Sequence, residues 1–211
     1  MAKSFVSNSS ESPRMFKSDI LEAVSKVHFS IPLVVYLPLI TFLAYRSFSL
    51  GNNLIDYTLY FLLGLFIWTL TEYVLHKHVF HFVPKSKLGL RLHFIFHGVH
   101  HDYPMDRLRL VMPPAASLLI AAFFYFLFSQ FFEPLHLFAF FGGFLLGYLF
   151  YDMTHYAIHH FNWKHPLFVK VKKHHMLHHY HDSTRGFGVS SALWDLILGS
   201  NFKEESENRV A

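Results

Sequence analysis

Four apolar stretches dominate the sequence: about His28 to Phe48, Leu54 to Leu75, Pro114 to Phe132 and Pro134 to His160. Each comes close to the roughly 20 residues that a helix needs to cross a bilayer. Lipid offers no hydrogen bonds to a peptide group, so a chain that crosses it must satisfy its own backbone, and a continuous apolar run does so as a helix. The stretches therefore predict an all-α integral membrane protein with four transmembrane helices. Pro32 and Pro38 fall in the first, where a membrane helix tolerates them as kinks. The second continues without a breaker into His76. Few residues part the third from the fourth, so these two form a tight helical hairpin.

Charge orients the spans. Lys3, Arg14, Lys17 and Lys26 precede the first, and Lys77, Lys85, Lys87, Arg91, Arg107 and Arg109 lie between the second and third. Lys164, Lys170, Lys172, Lys173, Arg185, Lys203 and Arg209 follow the fourth. Of the 18 Lys and Arg residues, Arg46 alone falls on the opposite side. The positive-inside rule makes the crowded side cytoplasmic. The expected protein is multi-pass, with its chemistry on the cytoplasmic face of a bacterial inner membrane or of the endoplasmic reticulum. Residues 1–27 have neither the continuous apolar core nor the small-residue cleavage site of a secretory signal. They read as a polar tail ending in an amphipathic stretch from Phe16 to Val27, and 28–211 as one membrane domain.

Composition closes several routes. With no cysteine, disulfides, thiolate metal sites and cysteine nucleophiles are excluded, and any metal must be held by nitrogen and oxygen. Twenty-six phenylalanines exceed what a compact core needs, but suit lipid-facing helices or the walls around an acyl chain. The net charge of +4 is modest, and no Lys/Arg run with interleaved aromatics resembles a nucleic-acid surface.

The chain has 18 histidines. All but His136 lie on the charge-crowded side or within a turn or two of it. Four groups stand out: His76 and His81 (H-x4-H) end the second span; His97, His100 and His101 (H-x2-H-H) lie in the following loop; His155 and His159 (H-x3-H) end the fourth span; and His175, His178 and His179 (H-x2-H-H) come later. Helical positions three and four apart share a face, so each of the last three groups can aim imidazoles at one place. Neutral imidazole suits zinc, copper, iron and nickel. Ten such donors around two six-coordinate ions would leave about two positions open, which favours chemistry over a closed structural site. His78, His93, His160, His174 and His181 interleave with these positions and read as supporting or solvent-facing residues. Single histidines such as His28, His136 and His165 read as surface or interfacial residues.

The segments between the histidines carry a resemblance. "EYVLHKHVFH", "FHGVHHDYPMDRLRLVMPP", "YDMTHYAIHH" and "KKHHMLHHYHDSTRGFGVSSALWDLILGS" resemble the membrane fatty acid hydroxylase superfamily, most closely its sphingolipid fatty acid 2-hydroxylases. The "PMDRLRLVMPP" segment and the "GFGVSS…WD…GS" ending separate that branch from sterol desaturases and carotenoid hydroxylases. The likeness spans about 54 to 200. It implies an O2-dependent oxygenase with two iron ions, held by the ten histidines named above, that hydroxylates carbon 2 of a long fatty acyl chain. Which histidine serves which ion stays open. Zinc outranks ferrous iron in intrinsic affinity for such donors, so zinc in a purified sample is compatible with this reading. It has no redox chemistry, and that form would be inactive.

The chain departs from many eukaryotic members in lacking the His-Pro-Gly-Gly motif of a cytochrome b5 domain; "HPLF" at His165 lacks the glycines. No Gly-x-Gly-x-x-Gly is present for a flavin or nicotinamide. Electrons are then expected from a separate cytochrome b5-like or ferredoxin-like protein docking on the basic face. Tyr148, Tyr151 and Asp152 share a helical face with His155 and would line the approach to the metals from the membrane. Asp152 would orient an imidazole or meet a polar group of the substrate, since a carboxylate near the bilayer edge is costly unless partnered. The tyrosines also fit an interfacial belt. Glu72, four residues before His76, fits a supporting role or a local pair. "GGFLLG" (Gly142, Gly143, Gly147) is a close-packing signal in membranes, read here as helix contact within the monomer.

Three rivals remain at this stage. Sphingoid C4-hydroxylation and sterol desaturation use the same metal core. A histidine-rich metal transporter would need polar residues along several spans, for which Asp56, Thr69, Thr71 and Glu72 make a poor pathway.

Overall fold

The computed structural model describes residues 5–7 and 9–202; Lys3, Lys203 and Arg209, counted above in the charge asymmetry, lie outside them. Among the described residues the fold is helical throughout, with no strand. A short helix α1 (Asp19–Val24) precedes α2 (Ser30–Ser49) and α3 (Leu54–Leu75). A π-helical turn from His76 to Phe80 extends α3. Then come α4 (Lys87–His93), a second π-helical turn (Phe94–Gly98) and α5 (Val99–Asp102). The hairpin α6 (Pro114–Phe128) and α7 (Pro134–His160) follows, then α8 (Pro166–Tyr180) and α9 (Leu193–Ile197).

Among the described residues three helices have the length and apolarity to cross a membrane: α2, α3 with its π extension, and α7. Pro38 lies inside α2 without ending it. The third expected span is shorter than its apolar stretch. α6 has 15 residues, about 22 Å at 1.5 Å per residue, because polar groups close its end. Ser129 Oγ and Gln130 Nε2 both donate to the Phe126 carbonyl, at 2.7 and 3.2 Å.

α7 is the most buried of the long helices. Its contact with α3 is backbone against backbone. A Cβ on Gly64 would lie 1.9 Å from the Phe140 carbonyl oxygen, and one on Gly143 1.9 Å from that of Phe61. Gly147, one turn on, makes room for Trp68. Trp68, Phe141, Phe144, Leu145 and Tyr148 fill the core beside this crossing with Tyr36 and Leu43 of α2. Packing of this kind, rather than polar bonding, is what holds helices together where lipid is the solvent.

On the histidine-rich side the connections form a cap. The stretch expected to be amphipathic becomes α1, started by the Ser18 side chain. It docks through Glu22, which accepts bonds from the Met15 and Phe16 N–H groups at 3.0 and 3.1 Å and pairs with Arg109 at 2.5 Å. Burial alone would push the Glu22 carboxyl up. Those N–H groups, Lys26 and Arg109 outweigh it and bring it down to about 2.

Candidate metal centre

The ten motif histidines gather where α3, α5, α7 and α8 end. They form two groups of five: His76, His81, His97, His101 and His178, and His100, His155, His159, His175 and His179. In each group the five ligand-capable nitrogens lie within 4.8 Å of one another.

Local geometry explains the partition. An H-x4-H pair in an α-helix would diverge by about 140° at 3.6 residues per turn. Here the π turn widens the helix, the His81 N–H bonds to the His76 carbonyl at 3.1 Å, and the two Nε2 atoms come within 3.2 Å. His97 stands in the second π turn, and such turns recur at functional sites. Each H-x2-H-H motif is split between the groups. Positions four apart stay together (His97 with His101, His175 with His179), whereas His100 and His178, three residues on from the first of each motif, cross to the other group. Positions i+3 and i+4 point about 100° apart, so one short helix can serve two neighbouring centres.

The arrangement fits a pair of ions. Nitrogens about 2.1 Å from one ion and at right angles lie about 3.0 Å apart, and neighbouring Nε2 atoms here are separated by 2.9 to 3.2 Å. His81 Nε2 meets the Nε2 atoms of His76, His97 and His178 and has at most one proton to share among them, whereas one ion would take all four lone pairs. His179 is buried, and neither of its ring nitrogens has a hydrogen-bond partner among the described residues. Burial, reinforced by the crowding of imidazoles, holds His97, His100, His101, His175 and His179 well below the usual 6.5. It also takes His81 to about 3 and His178 to about 4. These rings are neutral at pH 7 and ready to donate to a metal.

The interleaved histidines stay out of both groups. His78 and His181 are exposed, His160 packs on Tyr156, and His174 lies 3.1 Å from an Asp195 carboxylate oxygen.

Two of the cavities around the centre share part of their walls. One is lined by His97, His100, His155 and Asp152, with Ser25 and Arg109 among its polar groups and Leu21 and Val24 of α1 along its wall. The other lies within the helical bundle and exposes mainly apolar surface, from Trp68, Ile120, Phe124 and Phe144 among others, with Glu72 and Ser117 also on its wall. Phe80, Met112 and Tyr151 line both. The three α7 residues singled out in the sequence divide between these spaces. Tyr148 lines the bundle cavity, Tyr151 both, and Asp152 the cavity beside the histidines, with the Tyr148 hydroxyl donating to Asp152 Oδ2 at 3.3 Å. Asp152 is buried. Phe80 and Met112 went unnoticed in the sequence because nothing marks an apolar residue in an apolar chain as a cavity wall. Asp195, the Asp of the "WD" pair, was quoted only as part of a motif.

Comparison with known proteins agrees with this geometry. The chain is 41% identical to a dihydroceramide fatty acyl 2-hydroxylase of Arabidopsis thaliana over 90% of its own length and 80% of the relative's. It is 37% identical to the fatty acid 2-hydroxylase of Rattus norvegicus over 93% of its length, but spans only 59% of that protein. A solved structure of full-length scs7p, in which only the hydroxylase domain is visible, superposes with a TM-score of 0.84 at 36% identity, covering 88% of this chain and 70% of that one. The profile of the fatty acid hydroxylase family matches residues 61–200. That range takes in all ten clustered imidazoles, all three α7 residues and both π turns, and the chain belongs to the fatty acid hydroxylase family.

Proposed function

We propose that this protein hydroxylates carbon 2 of a long fatty acyl chain, carried by a sphingolipid or its precursor, using O2 and electrons from a separate cytochrome b5-like or ferredoxin-like protein. Residues 28–211 form the membrane domain, with α2, α3, α6 and α7 as four spans and the histidine-rich cap on the cytoplasmic face. Residues 1–27 precede it, and within them α1 packs onto the cap through Glu22 and Arg109. The ten imidazoles hold two ions, five to each, and iron in these positions supplies the redox chemistry that an unactivated C–H bond demands.

The observation that supports the reading is the pair of neighbouring cavities that share Phe80, Met112 and Tyr151 in their walls. Carbon 2 adjoins the carbonyl, so the polar end of the substrate must stay beside the reacting centre while a long tail leads away. The cavity beside the histidines has Asp152, Arg109 and Ser25 for the polar end. The bundle cavity has a mainly apolar wall for the tail. Asp152, held by Tyr148, orients the polar end and so chooses which carbon is presented. Tyr151 and Phe80 close the passage behind it and keep water from the centre.

The test is expression in a host that makes no 2-hydroxy fatty acids, followed by mass spectrometry of its lipids. A 2-hydroxy acyl product that disappears with His100→Ala and with His178→Ala is expected. A product hydroxylated on the sphingoid base, or none with both ions loaded and electrons supplied, overturns the assignment.

A further inference from the structure

The segment from Arg185 to Ser190 contains no imidazole, yet its backbone is tied at nearly every peptide. Its N–H groups go to an outer set of acceptors. Gly186 donates to the Ser200 carbonyl at 3.0 Å, and Phe187 and Gly188 donate to the two carboxylate oxygens of Asp195 at 2.9 and 2.7 Å. Val189 and Ser190 donate to Glu72 Oε1 at 2.7 and 2.8 Å, and the Ser190 hydroxyl donates to Glu72 Oε2 at 2.5 Å. Two of its carbonyls serve the metal centre: Arg185 O accepts from His178 Nδ1 at 2.6 Å, and Phe187 O from His76 Nδ1 at 2.5 Å.

Both carboxylates are buried, Asp195 completely, and that is tolerable only because every oxygen is bonded. Ser200 Oγ and His174 complete the set around Asp195. The segment has no slack, for a Cβ on Gly188 would lie 2.0 Å from the Ser191 carbonyl oxygen.

An imidazole that donates Nδ1–H to a carbonyl is fixed in rotation and presents a bare Nε2. Both rings anchored in this way belong to the first group. In the second, Nδ1 of His155, His175 and His179 is buried without a partner among the described residues. The groups match in donor number and differ in support.

We propose that Glu72 and Asp195 are positioning residues. They clamp the Arg185–Ser190 segment so that its carbonyls preorganise His76 and His178, and the first group consequently holds its ion more firmly than the second. This rests on reading the ten imidazoles as ligands of two ions.

The full chain, solubilised in detergent and loaded with Zn2+, is challenged with a chromogenic chelator while circular dichroism reports the helices. Two ions are expected to leave in two phases. His81→Ala should remove the slow phase and His159→Ala the fast one. Asp195→Asn sets an amide N–H2 against an N–H that now donates to a carboxylate, and should speed the slow phase by about 10- to 100-fold without touching the fast one. Glu72→Ala should do the same, whereas Glu72→Gln, which keeps an oxygen for Val189 and Ser190, should stay near the unaltered chain. That rescue separates positioning from general damage.

Two ions leaving alike from the unaltered chain, a slow phase untouched by Asp195→Asn, or both phases accelerated equally would overturn the proposal. If the clamp variants do not fold, the phase assignment decides: a slow phase that survives His81→Ala overturns it. A chain that takes up no pair of ions overturns the metal reading itself, and this inference with it.

Discussion

Where α3 crosses α7, no hydrogen bond or ion pair joins the two helices among the described residues. Gly64 and Gly143 bring backbone against backbone and Trp68 packs over Gly147. A few turns further along the same helices polar contacts join the apolar packing, as His76, His155 and their partners gather in two groups beside a loop hung from two carboxylates. The bundle is held by fit and the cap by bonds. Fit is insensitive to pH and chelators but intolerant of added volume. Bonds to imidazole tolerate small changes of volume but compete with protons for every nitrogen. One pair of helices carries both regimes, so each can be attacked without the other.

The largest effect is expected from added volume at the crossing. Gly143→Leu would drive a side chain into the Phe61 carbonyl, at or above the usual overpacking cost of about 1–3 kcal/mol. It should abolish monodisperse protein and product together. A variant that purified normally would mean that the crossing is softer than its geometry. His175→Ala, at a position with no exposure, should bring product to background and remove one of two ions by elemental analysis, while far-UV circular dichroism stays unchanged. Loss of helix there would show that the bundle leans on the cap.

Between the regimes stands Asp152, on a bundle helix but facing the cap cavity. Asp152→Ala should lower turnover by about 10- to 100-fold, the scale of a misplaced substrate, with both ions and membrane residence retained; an unchanged rate would retire its role. The smallest effect is graded and comes from acid. The cap imidazoles have folded-state values below 6.5, about 3 for His81 and about 4 for His178. The unfolded cap therefore binds protons first. The stability these rings confer is complete above about 6.5 and is lost as pH falls below it toward the depressed values. Metal release followed against pH should begin below about 6.5, while the helical signal of the bundle persists. Coincident loss of the two would erase the distinction.

Much of this was legible along the chain. The ends of α2, α3 and α7 fall close to the expected spans, since apolar length is a local property that the bilayer reads directly. α6 came out shorter because Ser129 and Gln130, polar enough to bond the last turn, stand inside an apolar run. The histidine groups were visible as spacings, and Asp152 as a carboxylate one helical turn before His155. Glu72 was visible only as an ambiguous acid, because its partner Ser190 lies 118 residues away. The docking of α1 depends likewise on Arg109, 87 residues from Glu22, and no periodicity reports such a pairing.

By itself, then, the sequence determined that the chain forms apolar helices of membrane-spanning length and that its imidazoles fall in spaced groups among many positive charges. Hydrophobic length and charge are additive along a chain, so both survive being read one residue at a time. Only the tertiary structure decided that ten imidazoles part five and five, that His100 and His178 cross between groups, and which carbonyls orient His76 and His178. Those outcomes depend on π turns, on the approach of α3 to α7, and on ångström-scale distances between side chains far apart in sequence.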